Sequence, residues 1–178
     1  MVGHKGHQEV KGTTGQTDME IVDDREEFLS PEWDKSIPVA VLTQTTLSVD
    51  DTENSIRNIQ NSFIDVLVRN DLCYATTNRQ MAVKEISNHV EVFLVVGAQN
   101  SSNCNRLKEV AELNGVPAFL INSVEELDPK WLADVVNVGI TSGASTPDSL
   151  VRGIIDFINP NKVIEMGGEE EKIGRAHV

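Results

Sequence analysis

Short apolar runs alternate with amphipathic windows along this chain, and the alternation sets the expected elements. VAVLT (39–43) is apolar and β-branched like a strand, and in the following SVDDTENSIRNIQNSF the residues Ile56, Ile59 and Phe63 recur at helical spacing. VEVFLVVG (90–97) is apolar at nearly every position, the pattern of a central parallel strand covered on both faces. After it, Leu107, Val110 and Ala111 form one face of a helix that Asn114-Gly115 is placed to end. PAFLI (117–121) and VNVGIT (136–141) read as two further strands. PDSLVRGIIDFI reads as a last helix with Leu150, Val151, Ile154 and Ile155 inward. Strands alternating with helices give an α/β fold of parallel sheets with crossover helices.

The segments between these elements set the domain reading. A strand-like run ends in polar residues between Val66 and Asp71, which predicts the remainder of one α/β domain over 1–68 and a second, nearly complete α/β domain over 69–166. MEIVDDREEFLSPEW (19–33) is acidic and expected to be solvated, and in SVEELDPKWL (123–132) Ser123 and Glu126 stand at capping-box spacing. The opening MVGHKGHQEVKGTTGQ is a Gly/His-rich loop with no strand ahead of it, although such loops usually follow one, so the expectation is a fragment that lacks its beginning. KIGRAHV (172–178) reads as translated sequencing adapter, a non-native tail that carries no function, His177 included.

Composition narrows the partners. With 178 residues, 39% of them hydrophobic, the chain can bury a real core. A net charge of −13 and a pI near 4.6 argue against a nucleic-acid backbone or an anionic membrane as main partner. A small anion stays possible, because backbone N–H groups alone can bind one. No apolar run approaches the roughly 18 residues of a membrane span. Cys73 and Cys104 are the two cysteines, and neither lies in a CxxC pair, which argues against a zinc site or a disulfide framework. Unpaired cysteines without an export signal point to a reducing cytoplasm.

Candidate chemistry gathers where strands give way to helices. TQTTLS (43–48), GAQNSSNCNR (97–106) and TSGASTP (141–147) bring small residues and short hydrogen-bonding side chains to the carboxyl ends of strands, where α/β folds bind ligands. Ser101, Asn103 and Ser145 fit either helix caps or donors to a phosphate ester. No GxxxxGK[ST] or GxGxxG occurs, so a nucleotide site has little support. His4 and His7 with Glu9 suit a metal only on a helix; in a loop, a histidine can face phosphate while a carboxylate passes protons, or the loop is simply exposed. Cys73 precedes an expected helix in which Thr77 and Gln80 have capping-box spacing. It reads either as a small buried hydrophobe or as a thiolate favoured by the helix dipole, able to serve as nucleophile or soft-metal ligand. Cys104 reads as a serine-like space filler.

Taken together and in order, GHKGHQEVKGTTGQ, TQTTLSVDDT, DLCYATTNRQ, NSSNCNRL and TSGASTPDSLV closely resemble the bacterial type of 4-hydroxy-3-methylbut-2-enyl diphosphate reductase over about residues 1–166. The resemblance implies three similar α/β domains around a 4Fe-4S cluster held by three cysteines. Cys73 would be the third ligand, the other two belonging to an amino-terminal part absent from this chain. It further implies that His7, Ser101, Ser102, Asn103 and Ser145 bind the substrate diphosphate. Glu9 would belong to the proton-delivery network, and Thr45 would lie near the substrate hydroxyl. The implied reaction is the last step of the methylerythritol phosphate route: reductive dehydroxylation of an allylic diphosphate to isopentenyl and dimethylallyl diphosphate, with electrons from a ferredoxin or flavodoxin, in the bacterial cytoplasm. The fragment alone is expected to be inactive. The alternative is a phosphate-ester-binding α/β module without catalysis.

Overall fold

The computed structural model describes residues 1–23, 25–28, 31–69 and 72–166, so the KIGRAHV tail lies outside the described residues. The chain is an α/β protein of parallel sheets, and its contacts divide it into two compact units, Met1–Thr77 and Asn78–Val178.

The first unit contains α1 (Gln8–Thr14), β1 (Val39–Leu42), α2 (Val49–Ser62) and β2 (Val66–Arg69). β1 and β2 pair in parallel, Val39 opposite Val66 through Leu42 opposite Arg69. Ile59 and Phe63 on α2 bury against Val2, Val41 and Leu47, with Ile56 partly buried beside them, so the helical face read from the sequence is the face that packs.

Two expectations for this unit are corrected. The opening residues are not loop throughout. Val2 is fully buried and forms parallel bridges to both Val22 and Thr43, with its amide donating to the Leu42 carbonyl at 2.8 Å. The Gly/His turn therefore does follow a strand-like residue, and α1 begins directly after His7. The acidic 19–33 segment is only partly solvated. Val22 and Phe28 pack on the core, and Asp23 is buried. Its carboxylate accepts from the Lys5 amide at 2.7 Å and from Arg25 Nε and Nη2 at 2.8 and 2.6 Å. These bonds satisfy a charge that burial would otherwise make costly.

The division between units falls within α3 (Tyr74–Ile86). The second unit continues through β3 (Val92–Val96), α4 (Ser102–Leu113), β4 (Ala118–Ile121), β5 (Val138–Ser142) and α5 (Asp148–Ile158). Its sheet runs β4-β3-β5, all parallel, with every residue of the central β3 buried. Side chains alternate across a strand, so Phe93 and Val95 pack with Val83, Leu107 and Val110, while Leu94 and Val96 pack with Ile121, Leu127 and Ile154. α4 ends at Asn114, and Gly115 takes φ 81°, the left-handed conformation that glycine adopts without strain.

In α5 the inward residues are Val151, Ile154 and Ile158, whereas Leu150 is exposed. The Ser123 capping box does not form: residues 124–126 and 129–132 are short 3-10 turns, and the Ser123 side chain makes no cap bond. Glu126 instead accepts from the Asn122 amide at 2.9 Å. Thr77 lies inside α3 rather than at its start, so its pairing with Gln80 is not a cap either.

Candidate functional site

In the first unit, four of the residues singled out by sequence are joined through the backbone. The His7 ring caps α1, its Nδ1 accepting from the Glu9 amide at 3.3 Å. A neutral imidazole that accepts at Nδ1 carries its proton on Nε2, which leaves Nε2–H as a donor. From the first turn of α1, Glu9 reaches the carboxyl end of β1. One carboxylate oxygen accepts from the Thr45 amide at 2.9 Å and the other from the Thr45 hydroxyl at 2.9 Å. The Thr45 carbonyl in turn accepts from the Cys73 amide at 3.0 Å. The His4 carbonyl accepts from the His7 amide at 3.1 Å, and the His4 amide donates to Gln44 Oε1 at 3.0 Å.

Cys73 is exposed, not the buried thiol that its small size allowed. It occupies the position before α3, and its sulfur accepts from the Thr76 amide, the Thr76 hydroxyl and the Ala75 amide. The Thr76 amide contributes most, and together these donors hold the thiol pKa below its ordinary value. Thr76, not singled out from the sequence, supplies most of this effect.

The second unit holds the other predicted residues. Ser101 caps α4, its hydroxyl oxygen accepting from the Cys104 amide at 3.3 Å. Ser102 and Asn103 fill the first turn of that helix, where N–H groups are not consumed by intrahelical bonds. Asn103 is 8% exposed, and neither its side-chain nitrogen nor its oxygen has a hydrogen-bond partner. A buried amide left unpaired costs about 1–3 kcal/mol, so Asn103 is not there as a cap.

Beside Asn103 the ends of β3 and β5 close on Cys104. Gly97 has φ 153°, and a Cβ there would lie 2.4 Å from Cys104 Sγ. A Cβ on Gly143 would lie 2.5 Å from the same sulfur. Cys104 is 1% exposed and fills this space, as its reading as a space filler requires. The Val96 carbonyl accepts from the Gly143 amide at 3.1 Å and from the Thr146 hydroxyl at 3.0 Å, with the Cys104 thiol 4.0 Å away. Ser145 stands exposed in the turn that this carbonyl secures and caps no helix; Pro147 holds the cap position of α5. Gly143 and Thr146 were not singled out from the sequence, although both lie within TSGASTP.

A metal centre was also expected. Among the described residues no three His, Cys, Asp or Glu side chains come together to hold a metal, so His4, His7 and Glu9 do not form such a group. Cys73 suits one ligand position of an iron–sulfur cluster: it is exposed, and its thiolate is favoured. The rest of the ligand set would have to come from outside these residues.

Comparison with known proteins gives a consistent picture. The LytB protein family matches residues 1–159. The chain is 42% identical over 180 residues to the 4-hydroxy-3-methylbut-2-enyl diphosphate reductase of Ruthia magnifica, covering 97% of this chain and 59% of that protein. It is 47% identical to 4-hydroxy-3-methylbut-2-enyl diphosphate reductase 2 of Bradyrhizobium diazoefficiens, covering 97% of this chain and 58% of that protein. Among solved structures, the E-1-hydroxy-2-methyl-but-2-enyl-4-diphosphate reductase of Plasmodium falciparum matches with a TM-score of 0.79 and 31% identity, over 90% of this chain and 52% of that one. The chain thus spans somewhat over half the length of the relatives it matches.

Proposed function

Since the chain belongs to the LytB protein family, we propose that it carries the proton-delivery, cluster-ligand and diphosphate-binding parts of a 4-hydroxy-3-methylbut-2-enyl diphosphate reductase. In this reading residues 1–68 are part of the family's middle domain and 69–166 its carboxyl-terminal domain. The observation that carries the reading is the hydrogen-bonded chain from Glu9 through Thr45 to Cys73, which joins three residues far apart in sequence to which the family pattern gives adjoining roles.

The overall reaction breaks the allylic C–O bond. The oxygen leaves as water with one added proton, and two electrons with a second proton complete the new C–H bond. A 4Fe-4S cluster, when bound, supplies the electrons, which a ferredoxin or flavodoxin replenishes. Cys73 offers a thiolate to that cluster. Glu9 holds the proton for the departing oxygen, with Thr45 fixing both carboxylate oxygens so that the acid does not reorient during transfer. The family pattern assigns diphosphate donors in each unit taken by itself: Ser101, Ser102, Asn103 and Ser145 in the second, and His7 through its Nε2–H in the first. None of the described helices is long and apolar enough to cross a membrane.

The test is a chimera in which residues 1–159 replace the corresponding part of the Bradyrhizobium relative. Loaded with cluster, it is expected to reduce the allylic diphosphate, and Cys73→Ser is expected to lose both cluster and activity. A chimera that binds cluster yet reduces no substrate would overturn the reading.

A further inference from the structure

Arg79, on the part of α3 that belongs to the second unit, reaches the carboxyl end of β5. Its Nη1 donates to the Ser142 carbonyl at 3.2 Å and to the Ser142 hydroxyl at 3.3 Å. Arg25, Arg57, Arg106 and Arg152 each pair with a carboxylate. Arg79 is half-buried, and among the described residues no carboxylate pairs with it. In a chain of net charge −13 an arginine so placed is not used for an ion pair.

What it holds is specific. Ser142 is the last residue of β5, in register with Val96 at the end of β3. The next residues form the turn in which the Thr146 amide donates to the Gly143 carbonyl at 3.0 Å and which presents Ser145 to solvent. Two bonds from one nitrogen fix both the peptide plane and the side-chain rotamer of Ser142, and with them the direction in which the chain leaves the strand. We infer that Arg79 is a positioning residue for the phosphate cradle: tethered to Ser142, it sets the Gly143–Thr146 turn that offers Ser145 to an anion beside Asn103. The inference rests on the diphosphate-binding part of the function proposed above.

Both bonds come from Nη1 alone, a demand that a lysine ammonium can meet in part. In the 178-residue chain, titration with inorganic pyrophosphate followed by amide NMR is expected to show binding about tenfold weaker for Arg79→Gln, the loss of roughly one good hydrogen bond. Arg79→Lys is expected to recover part of that loss, which a merely structural role would not require. Hydrogen exchange at Gly143, Ala144 and Ser145 is expected to speed up in Arg79→Gln while that of Val92–Val95 stays as it was. Unchanged pyrophosphate affinity in Arg79→Gln, or unchanged exchange across the turn, overturns the inference. Absence of pyrophosphate binding in the unsubstituted chain overturns the cradle itself, and exchange in the turn then decides the Arg79 tether separately.

Discussion

Glu9 and Thr45 are joined by two hydrogen bonds of equal length, the Thr45 amide on one carboxylate oxygen and its hydroxyl on the other, each at 2.9 Å. One helix start is thereby fastened to one strand end through a group that can hold a proton. Thr45→Ala keeps the amide bond and deletes the hydroxyl bond. The expected cost is about 1 kcal/mol in urea unfolding. Glu9→Gln in the chimeric enzyme is expected to lower kcat more than it raises KM, because a proton donor acts chiefly in the transition state. Equal effects on both would count against that role.

Asp23 gives the first unit an acid limit. The Arg25 guanidinium, followed by the Lys5 and Arg25 amides, holds its carboxyl well below the usual carboxylate range. A depressed folded-state pKa means that the contribution is complete above the unfolded value of roughly 4 and is lost as pH falls further. Chemical denaturation at several pH values is expected to show stability falling below about pH 4. Asp23→Asn should be less stable at neutral pH and lose less on acidification, and an equally steep acid limb in that variant would assign the limit elsewhere.

Cys73 and Cys104 should separate cleanly by reactivity. Alkylation of the native chain is expected to modify the exposed Cys73 and spare the buried Cys104. Thr76→Val deletes the hydroxyl bond to the sulfur, so the Cys73 pKa should rise and alkylation near neutral pH should slow. A rate indifferent to Thr76 would mean that the helix start does not activate this thiol.

Gly143→Ala places a methyl group against the Cys104 sulfur. Overpacking of this kind costs roughly 1–3 kcal/mol. In a Cys104→Ala background the same substitution should cost much less, and thermal unfolding of the four proteins in that cycle measures the coupling. Additive losses would show that the sulfur is not the obstacle.

Local pattern made much of the second unit legible. The apolar, β-branched run around Phe93 and Val95 reads as a strand covered on both faces, and Asn114-Gly115 carries its own stop signal. Ser101 as a cap was likewise readable from its place before a helical face. The contacts between Glu9, Thr45 and Cys73 were not, since they join segments distant in sequence; only the resemblance of whole motifs placed them in one family of roles. Asp23 was misread for a related reason. Within an acidic stretch nothing marks the one carboxylate that Lys5, from another segment, will enclose, although Arg25 two residues on was a local hint. Leu150 shows the limit of periodicity, which gives the apolar side of a helix but not which of its residues find a packing partner.

The Val96 carbonyl, which takes the Gly143 amide and the Thr146 hydroxyl and has Cys104 close by, ties α4 and the β5 turn to one oxygen. Both of its lone pairs are occupied by a single loop, while the sulfur of the other element stands against that loop. A displacement of either element should therefore appear in the other, so that Asn103 and Ser145, proposed above to bind the diphosphate, would move as one correlated body rather than as separate loops.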